Sequence, residues 1–467
     1  MTVEYVAARQ TVGLSTLLKF GVGQIGAQIF RDVPATLLPL FFTTMLGVEP
    51  WLGGVAILIP KLWIILCDPL VGALSDREKK NWGRQPFLLI GGLATTIGFL
   101  ALFIPPDFGV PWLYVVYIGT IFTLASTGFS LYSVPYLAIA SEMTEDYHER
   151  TKVMTYRMVF TAVGLIVGVG LAQPLVLWFG GGRDGWTSMA LILATICCLS
   201  MVGCYFGLRR LPLSQSFAES LPLLTQFRVA SGNRPFRLLV SVHFIQQLGQ
   251  ASSYSAVALM FIYVIKDVAL ILPFIMVMSV TSLLVQPFWL SFSRHFGKKT
   301  TYIVSVVAWI FVTLSWLVAR ADSDILLTVP LLGPLSTQQA LVLLRALAIG
   351  IFNSGFILMS LSILTDTIDY DRRLHRMSRE GIFSGVYSAL EKLAFAAGPA
   401  VGGVVLSLAG FKPSTEGAVS QDVSAVNGVL AVYSILPVLF FSASLFLLAR
   451  FRLNEAQLAA TKFVPKA

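Results

Sequence analysis

The ionisable side chains inside long apolar runs include Arg31 and Asp32, Lys61 and Asp68, Arg157, Arg345, and Glu391 with Lys392. Placing such a group in hydrocarbon costs roughly 2.5–3.5 kcal/mol on insertion scales, so each is a candidate for binding a solute or moving an ion. The bland alternative is an ion pair that locks helices, or a long side chain that reaches back to the interface. That alternative suits Arg345, near the end of its run, whereas Asp68 and Lys392 lie deep in theirs and favour function. Lys61, Ile64 and Asp68 share one helical face, because seven residues make nearly two turns. A lone carboxyl among apolar side chains is chemistry for loading and releasing a proton.

The elements that must hold these groups are membrane helices. The chain has 467 residues, 56% hydrophobic and 12% charged, against about 25% charged in a soluble domain. A helix crosses the hydrocarbon in about 20 apolar residues. Twelve runs meet that need: 15–46, 52–75, 86–105, 111–141, 154–179, 187–208, 237–265, 269–293, 300–319, 337–366, 381–409 and 426–450. Basic residues fill alternate connections. Arg77, Lys79, Lys80 and Arg84 follow the second run, Arg150 and Lys152 the fourth, and Arg209, Arg210, Arg228, Arg234 and Arg237 the sixth. Arg294, Lys298 and Lys299 follow the eighth, and Arg372, Arg373, Arg376 and Arg379 the tenth. The odd connections hold only Arg183, Lys266, Arg320 and Lys412. Cytoplasmic loops carry such an excess, so the pattern predicts an all-α polytopic membrane protein with both termini inside. It also accounts for the net charge of +9, and no nucleic-acid partner is expected. Cys67, Cys197, Cys198 and Cys204 all lie in apolar runs and read as packing residues. No cleaved leader is expected at the N-terminus.

The runs divide six and six. A domain of residues 1–208, a cytoplasmic linker over 209–236 and a second domain of 237–467 are expected. Pro69-Leu70-Val71-Gly72-Ala73-Leu74-Ser75-Asp76-Arg77 with Gly83-Arg84 is echoed by Pro287-Phe288-Trp289-Leu290-Ser291-Phe292-Ser293-Arg294 with Gly297-Lys298-Lys299. The connections after runs four and ten are both acidic then basic, Glu142 to Arg157 and Asp366 to Arg379. Two parallel six-helix repeats with a solute site at their interface are one established transporter plan.

Gly72-x-x-Ser75-Asp76-Arg77 with Gly83-Arg84 resembles the cytoplasmic loop motif of the major facilitator superfamily. Lys61-x6-Asp68-Pro69-Leu70-Val71-Gly72 with Trp82-Gly83-Arg84-x-Pro86 is similar to the melibiose-permease-like glycoside–pentoside–hexuronide:cation symporters, the sodium:galactoside symporter family. So are Pro135-Tyr136-x-Ala138-x3-Glu142-Met143-Thr144-x-Asp146-x2-Glu149-Arg150-Thr151 and Asp366-x2-Asp369-Tyr370 followed by Arg379-Glu380-Gly381-x-Phe383-Ser384 and Tyr387-Ser388-x3-Lys392. The resemblance implies the major facilitator fold, with 12 transmembrane helices in two six-helix pseudo-repeats and cytoplasmic N- and C-termini. It also implies sites. The family's sugar-binding aspartate of helix one corresponds to Gln28, with Asp32 one turn on; its arginine and lysine correspond to Arg157 and Lys392, and Lys61 and Tyr136 complete the expected substrate residues. Leu137 stands where relatives often place a tryptophan. The family's sodium-coupling acids correspond to Ile64, Asp68 and Ser133, and one carboxylate beside an isoleucine is a poor sodium cage. Coupling through Asp68 and Ser133 to H+, or uncoupled transport, is therefore expected rather than coupling to Na+. Asp76, Arg77, Arg84, Glu142, Arg150, Asp366, Asp369 and Arg379 would act as cytoplasmic gates.

The resemblance implies a secondary symporter for a sugar, glycoside, hexuronide or similar small solute; the style of the chain adds the expectation of a bacterial inner membrane. The alternative within the same fold is a lysophospholipid or amphiphile symporter, which the basic Lys61, Arg157 and Lys392 would suit. Asp366-x2-Asp369-x-Asp371 would also suit the magnesium–diphosphate chemistry of an intramembrane prenyltransferase. That chemistry needs a second acidic cluster on the same cavity, and Glu145-Asp146 is followed by basic residues, so no enzyme is expected. No Gly-x4-Gly-Lys-Ser/Thr motif is present, so transport draws on gradients. The expected partners are a small-molecule substrate and the lipid bilayer, with no cofactor and a monomeric state.

Overall fold

The computed structural model describes residues 12–78, 81–144, 147–211, 228, 230–319, 325–329, 333–375, 379–451 and 453. Helical passes follow one another through them. The first four are α1 (Leu14–Met45), α2 (Pro50–Glu78), α3 (Gln85–Phe103) and α4 (Pro111–Glu142). Next, α5 (Tyr147–Leu165) continues through a π-helical stretch, Ile166–Gly170, into Leu171–Trp178. Then come α6 (Gly182–Leu208), α7 (Arg234–Ser255, extended by Val257–Ile265) and α8 (Val268–Leu284 with Gln286–Phe296). The last four are α9 (Lys298–Leu314), α10 (Thr337–His375), α11 (Glu380–Leu408) and α12, which runs Val423–Leu430, Ala431–Ile435 and Leu436–Ala449.

Among the described residues, nine of these passes are long and apolar enough to span a membrane, and the two bent passes, α7 and α8, raise that to eleven. The pass outside this set is α1, where Lys19, Gln24, Gln28, Arg31 and Asp32 dilute the apolar run. Most of α1 is nevertheless buried. A helix that is polar yet covered by protein marks a functional lining rather than a lipid-facing rod.

The bends have local causes. α8 turns by 47° at Val285, two residues before Pro287, whose ring removes an N–H and crowds the carbonyl four residues back. Pro174 and Pro437 likewise lie four residues after Gly170 and Tyr433, inside the π-helical stretches of α5 and α12. The freed carbonyl of Tyr433 accepts the Ser253 hydroxyl of α7 at 2.8 Å. That is how a helix tolerates proline in lipid, where water does not reach the backbone.

The chain groups into two compact units. The first comprises Met1–Pro34, Leu66–Asp107 and Tyr117–Ser220; the second comprises Ala35–Ile65, Phe108–Val116 and Leu221–Ala467. In the first, Phe20, Leu88, Tyr132, Tyr136, Cys197, Met201 and Cys204 build a core, with α3 and α4 held close where Gly91 and Gly98 face Tyr132 and Ala125. In the second, Phe236, Leu239, Tyr302, Trp309, Phe356, Phe383 and Phe441 do so.

Also within the second unit, the C-terminal end of α1 and the start of α2 are sewn to α11 and the loop after it. Gly47 N–H donates to Ser414 O at 2.9 Å, Ser414 N–H to Thr43 O at 2.7 Å, and Gly417 N–H to Thr44 O at 2.9 Å. Gly54 lies on the backbone of Ala400 and Gly403 on that of Pro50, so close that a Cβ at either would fall 2.6 or 2.4 Å from a backbone atom. One small departure from an all-helical chain is an antiparallel hairpin, β1 (Ile325–Val329) with β2 (Gly333–Ser336), between α9 and α10. The β-branched and aliphatic Ile-Leu-Leu-Thr-Val segment suits a strand.

Candidate functional site

In the first unit the polar face of α1 forms a directed hydrogen-bond ladder. Arg157 of α5 donates from Nε to Gln24 Oε1 at 3.0 Å, and Gln24 Nε2 donates to Gln28 Oε1 at 3.2 Å. Gln28 Nε2 then donates to Asp32 Oδ2. Arg31 Nε lies 3.9 Å from Asp32 Oδ1 at the far end. Gln24, Gln28 and Asp32 are all buried. They meet because successive steps of four residues fall on one side of a helix. The ladder joins three of the expected substrate residues, Gln28, Asp32 and Arg157. It adds Gln24, one turn before Gln28, whose place on the same stripe was the signal that could have found it. A guanidinium, two amides and a carboxylate offer donors and acceptors in the mixture that hydroxyl groups require.

Tyr136 stands behind this face. It is 1% exposed, stacks on Phe20 with ring centres 4.3 Å apart, and gives its hydroxyl to the Phe20 carbonyl at 2.9 Å. Its ring is packing for α1 and its polar atom is already engaged.

On α2, Asp68 is partly buried and accepts the Ser130 hydroxyl of α4. Ser133, also on α4 and partly buried, lies one turn beyond Ser130. Ile64, one turn before Asp68, is 7% exposed and apolar. Lys61 is on the same face of α2, about 10 Å along the axis from Asp68. The carboxylate thus accepts a hydroxyl from α4 and has the apolar Ile64 one turn before it on α2.

At the inner end of the first unit, Arg84 gathers three acceptors. Its Nε donates to Glu142 Oε1 at 3.0 Å, its Nη1 to Ser75 Oγ, and its Nη2 to Asp76 Oδ1. Arg84 and Glu142 are 6% and 7% exposed. Arg77 lies out in solvent, 3.8 Å from Glu78, and the side chain of Arg150 lies outside the described residues. The second unit repeats the arrangement: Lys298 Nζ donates to both oxygens of Asp366, at 2.7 and 2.6 Å. Gly83 and Gly297 precede Arg84 and Lys298 with φ of 75° and 79°, a left-handed turn that only glycine adopts without penalty. Asp369 pairs with Arg373 at 2.7 Å, and Arg379 precedes the first turn of α11.

Lys392 is exposed on α11, next to Glu391. The polar centre of the second unit lies beside them and was not anticipated. His243 of α7 stacks on Tyr387 of α11 with ring centres 4.0 Å apart, and its Nδ1 is 2.9 Å from the Tyr387 hydroxyl. That hydroxyl is 2.8 Å from Ser360 Oγ of α10. His243 Nε2 faces Glu391 Oε2 at 3.8 Å. One turn along α7, Gln246 accepts from Tyr302 at 2.8 Å and donates to Ser444 at 2.9 Å. A histidine within an apolar run, followed by Gln246, Gln247 and Gln250, carried the same signal as the charged residues.

Against known families, residues 19–455 match the model described as MFS/sugar transport protein. The chain belongs to that family. Among curated relatives it is similar to an isoprimeverose transporter of Lactiplantibacillus pentosus, 23% identical over 463 residues, covering 97% of this chain and 91% of that one. It is also similar to the inner membrane symporter YicJ of Escherichia coli (strain K12), 22% identical over 468 residues with 97% and 93% covered. Among solved structures a D-xylose–proton symporter superposes with a TM-score of 0.64 at 13% identity, over 93% of this chain and 96% of the other. The family match and this likeness give the major facilitator fold. The chain is an integral, multi-pass membrane protein and a secondary transporter of a small organic solute, not an enzyme. Among the described residues no three His, Cys, Asp or Glu side chains group as metal ligands.

Proposed function

We propose that this transporter is a glycoside–pentoside–hexuronide:cation symporter of the melibiose-permease type, working as a monomer in a bacterial inner membrane. Its solute is a sugar, glycoside or hexuronide carried by alternating access of two six-helix domains, 1–208 and 237–467, joined by the 209–236 linker. The observation that carries this reading is the ladder Arg157–Gln24–Gln28–Asp32. A buried row of amides and a carboxylate fixed by a guanidinium suits polyhydroxylated solutes, and Lys61 and Lys392 add positive charge for a uronate. Tyr136 supports the row from behind. Asp68, with Ser130 and Ser133 on α4, is the coupling group, and its single carboxylate favours H+. The charge clusters of Asp76, Arg77, Arg84, Glu142 and Arg150, and of Asp366, Asp369 and Arg379, brace the cytoplasmic ends and release them as access alternates.

Uptake into proteoliposomes tests the reading, with isoprimeverose, glucuronate and a lysophospholipid under imposed proton or sodium gradients. A proton gradient should drive isoprimeverose or glucuronate inward. Asp68→Asn should abolish that accumulation while sparing solute exchange. Uptake of the lysophospholipid alone would replace the sugar reading with an amphiphile carrier, and undiminished accumulation in Asp68→Asn would remove Asp68 from coupling.

A further inference from the structure

The second unit holds a buried titratable group that the solute ladder and Asp68 leave unused. His243 is 9% exposed, ten residues into α7, and its two ring nitrogens have unlike surroundings. Nδ1 is engaged by the Tyr387 hydroxyl at 2.9 Å. Nε2 is buried without a hydrogen-bond partner and points toward the Glu391 carboxylate, 3.8 Å away. That separation is too long for a hydrogen bond and short enough for a strong charge interaction. With the ring proton on Nδ1, the buried Nε2 presents a lone pair toward the partly exposed Glu391 carboxylate. One added proton turns the same apposition into an imidazolium–carboxylate pair.

We propose that His243, with Glu391 as its counter-charge, is a proton-binding site of the second unit, additional to Asp68. A proton from water bonds to Nε2, the ring gains one positive charge, and Glu391 balances it; no other reactant is needed. Nδ1–H donates to Tyr387 in both charge states and the Tyr387 hydroxyl meets Ser360 Oγ at 2.8 Å, so the site joins α7, α10 and α11. The titratable groups facing His243 are Tyr387 and Glu391 from α11. Tyr302 of α9 stands one turn away at Gln246, and Lys392 follows Glu391 on α11. Intramembrane His–carboxylate pairs of this kind are suited to proton relays.

The spectral part of the test needs no solute. The full chain in lipid nanodiscs, labelled with 15N-histidine, carries His148, His243, His295 and His375. A His148→Gln, His295→Gln, His375→Gln variant leaves His243 alone in the spectrum, even where His243→Gln does not fold. The His243 signal should convert between neutral and doubly protonated forms between pH 9 and pH 5. Glu391→Gln should cut the protonated fraction at pH 6 at least threefold. A His243 signal that stays neutral across that range, or one that titrates identically in Glu391→Gln, overturns the proposal. In proteoliposomes, Glu391→Gln should also lower proton-driven isoprimeverose accumulation at least tenfold while counterflow stays within twofold; undiminished accumulation removes the site from coupling. Failure of the sugar reading shows separately, as no uptake by the parent chain with the histidine titration intact.

Discussion

Gln24 is the residue on which the first unit's polar face turns. It accepts from Arg157 and donates to Gln28, so the guanidinium and the Asp32 carboxylate communicate through it. Gln24→Leu keeps the size and removes both bonds, leaving Arg157 and Gln28 short of a partner. A hydrogen bond to a charged group contributes about 1.5–3 kcal/mol, so the half-saturating solute concentration should rise about tenfold or more. Uptake kinetics against solute concentration check this, and an unchanged value would make the ladder a packing feature. The resemblance to the melibiose-permease-like symporters pointed to Gln28, Asp32 and Arg157, and the structure joins the three through one ladder. Gln24 and Ser130 were not legible in the sequence, because an amide and a hydroxyl in an apolar run cost too little to stand out. His243 stands in an apolar run as the charged residues do, but a count of formal charges passes over it because it is neutral by default.

At the scale of helices, proline placement and its repair decide local shape. Ser253 of α7 caps the Tyr433 carbonyl that Pro437 leaves open in α12. Ser253→Ala should leave that half-buried carbonyl without its hydroxyl partner, at a cost of roughly 1–3 kcal/mol. A lower unfolding temperature in detergent, with the solute affinity unchanged, is the expected measurement. Ser253→Thr, which keeps the hydroxyl, should recover most of it. The positions of the passes could be read from apolar length and alternating basic connections, since both follow from bilayer physics. The bend of α8 at Val285 follows from Pro287. Two features could not be read. The polar stripe that keeps α1 out of the apolar set needs its burial to be interpreted, and the hairpin Ile325–Val329 with Gly333–Ser336 lies in a segment too short to separate from a helix terminus by composition.

For the molecule as a whole, the matching clusters at Arg84 and Lys298 show one design used twice: a glycine with positive φ, a basic residue opening a helix, and an acid in the C-terminal part of the next. The copies differ in burial. Arg84 is covered and holds three acceptors, whereas Lys298 is 41% exposed by its side chain and holds Asp366 alone. Arg84→Gln should therefore slow transport and lower the unfolding temperature more than Lys298→Gln, because a buried cluster loses more than a solvated pair when one charge goes. Equal effects of the two substitutions would argue against that ranking. The sequence echo made the repeat visible, but not which copy is dry. The seam at the other end of the helices has a different character. Main-chain amides and carbonyls of Thr43, Thr44, Gly47, Ser414 and Gly417 knit it, and the loop after α11 adds the exposed Lys412–Asp422 pair at 2.7 Å. Screening in physiological salt acts over about 8 Å and only on charges. Added potassium chloride should therefore weaken the exposed Lys298–Asp366 and Lys412–Asp422 pairs and leave the main-chain bonds of the seam as they are, so that a salt series of unfolding temperatures separates the two kinds of fastening.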